Sequence, residues 1–273
     1  MKIGVLGLGI IGLEWTRHYH AENRLAGAWN RTPKPEAPGW TATPEAVASA
    51  ADVVQIVVAD PPAVRALLQR ILGELRPGKY VVQSSTIDPK SSEEFAALVR
   101  SRGARYVEAP FTGSRPAAQQ RQNVFFLGGD PADIAAVDPL LRIVSSHRFV
   151  IGTGVQAATI KLAMNLNIAA QMQGMAEALV LSRKAGISDD AFFEVLAKNV
   201  SYSGLTKLKE PKLRAHDYAP QFSVKHLHKD LRLASGMAGC ADYPLLETVR
   251  EALKTAEARG LADEDFSAII KLL

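Results

Sequence analysis

The 273-residue sequence predicts an α/β protein in which a mostly parallel sheet, covered by helices on both faces, is followed by an all-α domain entered through one long helix. Three observations carry this. Up to about residue 152, short runs rich in Val, Ile and Leu alternate with helical patterns. A glycine-rich turn follows the first of those runs, and beyond Thr153 every remaining segment has a helical rhythm.

The predicted strands are KIGVLG, RLAGAW, DVVQIVVA, KYVVQSS, RYVEAP, NVFFLGG and HRFVIG. Most are apolar throughout, as strands with both faces covered must be. Between most of them lie predicted helices such as Pro61 to Gly73 and Pro89 to Arg102, punctuated by Gly and Pro. In the second half, helices are expected at about residues 155–185, 189–199, 203–214, 223–238, 244–259 and 263–271. Asp189 and Pro244 are suited to helix starts, and Gly186 and Gly260 to stops. The expected boundary therefore falls near Thr153, with a nucleotide-binding domain at 1–153 and an all-α substrate and oligomerisation domain at 154–273. A long apolar helix in so small a helical domain is expected to find further partners in a second subunit.

Composition narrows the function. Hydrophobic residues make up 47% and charged residues 22%, and mean hydropathy is zero, which fits a soluble globular protein. The net charge of +4 comes from interspersed residues with no basic run, so a nucleic-acid partner is not expected, whereas a small anionic substrate or cofactor suits the excess. Cys240 is the single cysteine, which excludes an intrachain disulfide and suggests a reducing, cytoplasmic setting. Glycines interrupt the apolar N-terminus and argue against a signal peptide. Gln156, Thr159, Lys161, Asn165, Asn167, Gln171 and Gln173 interrupt the long helix, so no membrane span is expected. No metal site is expected either: His18/His20 and His226/His228 are two apart and share no helical face, and neither HExxH nor a Cys/His array occurs. A nucleophilic-serine elbow, G-x-S-x-G, is absent.

The first strand runs directly into GLGIIG, which places Gly7, Leu8, Gly9, Ile10, Ile11 and Gly12 between a strand and a helix. That is the dinucleotide fingerprint: a tight turn, a bare backbone beside the pyrophosphate, close helix packing, and helix-end amides as anion donors. The second strand ends in Asn30, Arg31 and Thr32, where an NAD site usually offers a carboxylate to the ribose. Without that carboxylate a 2′-phosphate meets no repulsion, and Arg31 can pair with it, so NADP(H) is expected in preference to NAD(H). Arg31 as a solvated loop residue is the alternative.

Lys161 is the only Asp, Glu, Lys or Arg between Phe149 and Ala176. Either it snorkels to the surface along its methylenes or it serves chemistry that offsets its lost hydration. Asn165, four residues on, shares its helical face. A buried lysine with lowered pKa can protonate a carbonyl oxygen as hydride arrives, with Asn165 orienting both groups. The stretch EAPFTGSRPAA brings Thr112, Gly113 and Ser114 to a strand end, either as a small-carboxylate cradle or as an ordinary turn. Lys225 and Lys229, one helical turn apart, would by themselves be solvated surface residues.

Together GLGIIG, SSTIDP, EAPFTGSRPAA, GTGVQAATIKLAMN and FSVKHLHKDLRLA, in this order, make the chain resemble the β-hydroxyacid dehydrogenase family nearly end to end. The resemblance implies a Rossmann-type domain joined by a long helix to an all-α domain, commonly in dimers or tetramers. It implies that Lys161 is the catalytic lysine and Asn165 its partner, that Thr112, Gly113 and Ser114 hold a substrate carboxylate, and that Lys229 reaches the site. Val58, Ala59, Asp60 and Thr86 would line the nicotinamide side. The carboxylate loop, with Glu108, Phe111, Thr112 and Ser114, departs from the Asp-Ala-Pro-Val-Ser-Gly-Gly of the 3-hydroxyisobutyrate branch. Gly-Ser, a basic residue and Pro-Ala instead resemble the glyoxylate and succinic semialdehyde reductases, as does WNRT. Ile168 stands where the 6-phosphogluconate dehydrogenases carry a glutamate, and Lys161 where imine reductases usually replace the lysine. The resemblance thus implies an NADPH-dependent reductase of a small aldehyde acid. A 3-hydroxyisobutyrate or tartronate semialdehyde type of dehydrogenase, an imine or other carbonyl reductase, and a non-enzymatic binding protein are the alternatives.

Overall fold

The structure, a computed structural model, describes residues 1–237, 239, 240 and 242–273. Two compact units divide after Lys161: Met1–Lys161 and Leu162–Leu273.

The first unit is built on eight strands: β1 (Ile3–Leu6), β2 (Leu25–Trp29), β3 (Val53–Ile56), β4 (Tyr80–Gln83), β5 (Arg105–Glu108), β6 (Phe111–Thr112), β7 (Asn123–Gly128) and β8 (Ser145–Gly152). Its helices are α1 (Ile10–Ala21), α2 (Pro44–Ala50), α3 (Pro61–Ile71), α4 (Pro89–Arg100), α5 (Arg115–Gln119) and α6 (Pro131–Leu141), and it ends in the start of α7 (Gly154–Lys184). The sheet order is β2-β1-β3-β4-β5-β7-β6, with β8 also paired to β7. Strands β2 to β5 run parallel along that path through β1; β7 is antiparallel to β5 and β6 and parallel to β8. The mostly parallel sheet is as expected, and β6 adds a two-residue strand inside the stretch read as a turn.

Alternate residues of β1 to β5 feed opposite cores. Ile3, Val5, Val53, Val82 and Val107 pack with Trp15, Tyr19, Ile134 and Leu141. Leu6, Val54, Ile56, Val81 and Tyr106 pack with Val47, Leu68 and Phe95. This double burial is why the strands are apolar at both parities. Helix starts follow one local rule. Thr43, Asp60, Asp88 and Asp130 each accept a hydrogen bond from a first-turn amide, and each is followed by the Pro that opens α2, α3, α4 or α6. Because β2 and β3 flank β1 on opposite sides, the chain reverses its direction of winding there, which opens a crevice at the carboxyl ends of β1 and β3.

The second unit comprises the rest of α7 with α8 (Asp189–Leu196), α9 (Gly204–Arg214), α10 (Val224–Ser235) and α11 (Pro244–Ala258). Its core gathers Leu162, Met172, Leu179, Phe193, Leu213, Leu227, Leu231, Val249, Leu253 and Ile269. Gly186 and Gly260, both with positive φ, stand just past α7 and α11. The helix expected at 223–238 ends at Ser235, and Ala238 itself lies outside the described residues. The last segment differs from expectation. In place of an α-helix at 263–271 there is a 3₁₀ helix, Phe266–Leu272, whose start is set by Asp265 accepting from the Ser267 amide and hydroxyl. The same buried carboxylate holds Lys209 Nζ at 2.7 and 2.9 Å and accepts from the Gln221 amide, so tertiary partners override local helical rhythm there.

Candidate functional site

Each glycine of the fingerprint meets a different constraint. Gly7 has φ +112°, and a Cβ there would sit 2.2 Å from the Val57 carbonyl oxygen. A Cβ on Gly12 would lie 2.0 Å from the Gly7 carbonyl oxygen, so the first turn of α1 can close onto β1 only without a side chain. A Cβ on Gly9 would meet nothing within 4 Å. Its surface is the open side of the turn. Gly9 is the N-cap of α1 without any side-chain cap, and Ile10 is 41% exposed, so the amides that open α1 border that space. A bare backbone, open space and uncapped helix amides together fit a pyrophosphate.

The turn is pinned from β2. Asn30 Oδ1 accepts from the Leu8 amide at 2.9 Å, and its Nδ2 donates to the Thr32 carbonyl at 2.9 Å. Asn30 therefore uses both ends of its amide to fix the glycine turn and the segment after β2, where Arg31 and Thr32 are exposed. The walls beyond β3 and β4 are also tied together: the Val58 amide donates to Ser85 Oγ at 2.8 Å, just before Thr86. Ala59 is exposed, and Asp60 Oδ1 accepts from the Ala63 amide at 2.9 Å as the cap of α3.

The turn at 112–114 follows β6, and Thr112 and Gly113 are exposed. Gly113 has φ +119°, and a Cβ there would meet Asn123 Nδ2 at 2.5 Å. Asn123, fully buried, donates to the Thr112 carbonyl at 3.4 Å and accepts from Trp15 Nε1 at 2.8 Å. Trp15 also packs edge-on against Phe111, with ring centroids 4.7 Å apart. Through Trp15 and Asn123 the helix that follows the glycine turn also sets the 112–114 turn. Ser114 opens α5 without spending its hydroxyl on a cap.

Lys161 is 8% exposed, so most of its side chain is out of water. It lies two turns into α7, and Asn165 follows one turn later on the same helix. In the second unit Asn165 Nδ2 donates to Asp230 Oδ2 at 2.6 Å, and Lys229 Nζ lies 2.7 Å from Asp230 Oδ1. Asn165 and Asp230 are each 2% exposed. Asp230 thus joins two residues that the sequence singled out separately. It was missed because an acid in KHLHKDLRLA resembles a solvated helix charge; the one available signal was its place beside Lys229. Lys225, by contrast, is exposed and pairs with Asp263.

A second acid shares the burial of Asp230, and nothing local in the sequence marks it. Glu108, at the end of β5, has no exposed surface. Gln83 Nε2 donates to its Oε1 at 2.7 Å, and the Ser92 and Tyr106 hydroxyls donate to its Oε2 at 2.7 Å each. Burial pushes its carboxyl up to about 7 against the pull of these three donors, and Asp88 pushes in the same direction as burial. Among the described residues no group of three or more His, Cys, Asp and Glu could hold a metal ion, and no helix is long and apolar enough to cross a membrane.

Residues 2–152 match the family described as the NAD binding domain of 6-phosphogluconate dehydrogenase, and residues 155–273 match that described as NAD-binding of NADP-dependent 3-hydroxyisobutyrate dehydrogenase. The chain is 30% identical over 284 aligned positions to the chloroplastic glyoxylate/succinic semialdehyde reductase 2 of Arabidopsis thaliana, covering 100% of this chain and 79% of that protein. It is 28% identical to glyoxylate/succinic semialdehyde reductase 1 of the same plant, covering 99% and 98%. Among solved structures, the 3-hydroxyisobutyrate dehydrogenase of Mycobacterium tuberculosis with L-serine superposes with a TM-score of 0.89 at 25% identity, covering 99% of this chain and 98% of that one.

Proposed function

Because the chain belongs to the β-hydroxyacid dehydrogenase family, we propose that it is an NADPH-dependent reductase of a small aldehyde acid of the glyoxylate or succinic semialdehyde type. The observation that carries this reading is Lys161: a lysine kept 8% exposed on α7, with Asn165 one turn further along. A lysine held in a mainly apolar helix is placed where its ammonium can act as the proton donor to a carbonyl.

In this reading the opening amides of α1 at Ile10, Ile11 and Gly12 hold the pyrophosphate beside Gly7, Leu8 and Gly9. Arg31, with Thr32, takes the 2′-phosphate. The exposed guanidinium and the absence of a carboxylate at Asn30 support NADP(H) over NAD(H). Val58, Ala59, Asp60 and Thr86 form the wall on the nicotinamide side. Reduced nicotinamide, when bound, supplies hydride to the carbonyl carbon. Thr112, Gly113 and Ser114 hold the substrate carboxylate through hydroxyls and a backbone amide. Lys161 Nζ passes a proton to the carbonyl oxygen, and in the oxidative direction it takes that proton back. Asn165 orients the lysine, and Asp230 fixes Asn165 while offsetting the charge of Lys229. Residues 1–153 are assigned to the cofactor and 154–273 to substrate and assembly, in a cytoplasmic homodimer or homotetramer.

The test is a panel of glyoxylate, succinic semialdehyde, tartronate semialdehyde and 3-hydroxyisobutyrate with both cofactors, followed at 340 nm. Turnover of glyoxylate or succinic semialdehyde, faster with NADPH than with NADH, is expected. No turnover of any of the four would overturn the substrate class, and faster turnover with NADH would overturn the role of Arg31.

A further inference from the structure

Three buried side chains cross-link the carboxyl ends of β3, β4 and β5. Glu108, at the end of β5, receives the Gln83 amide at the end of β4 at 2.7 Å. Gln83 then folds back on its own chain: its Nε2 donates to the Ser85 carbonyl at 2.8 Å and its Oε1 accepts from the Ser85 amide at 2.7 Å. Ser85 Oγ in turn accepts from the Val58 amide at 2.8 Å, just past β3. The relay ends on a residue that bounds the glycine turn, since a Cβ on Gly7 would come within 2.9 Å of Val58 Cγ1. At the other end, β5 leads through Ala109 and Pro110 into β6 and the 112–114 turn.

The acid is an expensive way to fill that position. Glu108 has no cationic partner among its hydrogen bonds, and an apolar residue at a buried strand end would avoid the desolvation cost. It is not placed to react: Oε1 is taken by Gln83, and Oε2 by Ser92 from α4 and Tyr106 from β5. What the carboxylate does supply is an acceptor-only group for three converging donors, which dictates which way each donor points.

We propose that Glu108 is a positioning residue: its buried carboxylate orients Gln83, and through Gln83 and Ser85 it holds the Val58–Thr86 wall of the cofactor site in register with the strand that leads to the 112–114 turn. The proposal rests on the assignment of that wall to the nicotinamide side. Several charges surround the network. Asp88, in the turn before α4, acts directly on Glu108, and Arg100 of α4 acts on Tyr106. Ser92 and Tyr106 also line a cleft of about 660 Å³ with Glu93, Arg100 and the first residues of α7. Gln83 on β4, Gly128 on β7 and Gly154 on α7 bring no charge.

Glu108→Gln keeps an acceptor for Gln83, since its amide oxygen can replace Oε1 while its nitrogen donates to the Ser92 or Tyr106 oxygen. Glu108→Ala removes the acceptor, and Ser85→Ala breaks only the last link, at small cost in volume. Two quantities are measured in each variant: hydrogen exchange at the Val58 amide without cofactor, and the NADPH dissociation constant from nicotinamide fluorescence. Losing one buried hydrogen bond predicts about three- to tenfold faster Val58 exchange and about three- to tenfold weaker NADPH in Glu108→Ala and in Ser85→Ala, with Glu108→Gln close to wild type in both. A purely structural acid would lower the thermal midpoint in Glu108→Ala and leave Val58 exchange and NADPH affinity in that variant at their wild-type values; that result would overturn the proposal. So would a Glu108→Gln variant as impaired as Glu108→Ala. Should Glu108→Ala fail to fold, Gln83→Met, which cuts the link between Glu108 and Ser85, is read in its place: faster Val58 exchange and weaker NADPH support the relay, and wild-type values of both overturn it. If none of the aldehyde acids is turned over while these responses persist, the proposed substrate fails and the relay stands.

Discussion

Replacing Gly9 by Ala separates binding from folding within a single motif. At Gly9 φ is −70°, so no left-handed strain accompanies a side chain, and the added Cβ meets no heavy atom within 4 Å. The cost to the fold is that of alanine at an N-cap, about 1 kcal/mol or less. The same methyl group projects into the space that the opening amides of α1 border, where the proposed pyrophosphate site needs bare backbone. Displacing it weakens the cofactor by about tenfold or more, which is about 1.4 kcal/mol or more. Gly12→Ala behaves in the opposite way, because its Cβ would lie 2.0 Å from the Gly7 carbonyl oxygen and 2.8 Å from Val57 Cγ1. Relieving that overlap requires α1 to move off β1, at a cost of about 1–3 kcal/mol or more. Urea unfolding and a nicotinamide-fluorescence titration on both variants form the assay. Gly9→Ala should keep the wild-type unfolding midpoint within that small margin and lose NADPH affinity, while Gly12→Ala should lose stability. Wild-type affinity in Gly9→Ala would refute the placement of the pyrophosphate, and wild-type stability in Gly12→Ala would refute the packing argument.

Three further outcomes follow from the buried polar groups. Asp230→Ala strips Asn165 of its acceptor and Lys229 of its partner; unfolding should show a loss of about 1.5–3 kcal/mol and kcat should fall, and an unchanged midpoint would mean the contacts carry little energy. Lys209→Met leaves the Asp265 carboxylate, which Lys209 holds below its ordinary range despite burial, without its cation at 0% exposure; a loss of about 3–5 kcal/mol is expected in urea, against less than about 1 kcal/mol for exposed Lys225→Met. Glu108 adds a pH dependence of defined sign. Its carboxyl is raised from 4.5 to about 7, so between those values the folded chain keeps a proton that the unfolded chain has released, and stability falls as pH rises through the window and levels off above it. The drop amounts to about 3 kcal/mol at most, and Glu108→Gln should flatten it; an equal slope in the variant would place the titration elsewhere.

The sheet and the glycine turn were legible because their signals are local. A strand buried on both faces is apolar at most positions of either parity, and only glycine satisfies the contacts at Gly7 and Gly12. Lys161 was legible for the opposite reason, as the one charge in a long uncharged stretch. Asn30 carried half its meaning: the missing carboxylate bears on the cofactor, but its grip on the Leu8 amide needs the fold to bring residues 22 apart together. Glu108, Gln83 and Asn123 were read as parts of strands or turns, since nothing local marks a polar side chain whose partners come from other strands. Asp230 was hidden among the charges of an amphipathic helix. The 3₁₀ ending at Phe266–Leu272 escaped for a related reason, since its geometry is set by Lys209 and Gln221 from far along the chain.

Proton donation by Lys161 is tested most directly by single-turnover reduction of glyoxylate or succinic semialdehyde by the NADPH-loaded Lys161→Ala variant. Removal of a general acid predicts a reduction rate about a hundredfold or more below wild type, with the NADPH dissociation constant little changed. A wild-type rate in the variant would contradict the assignment.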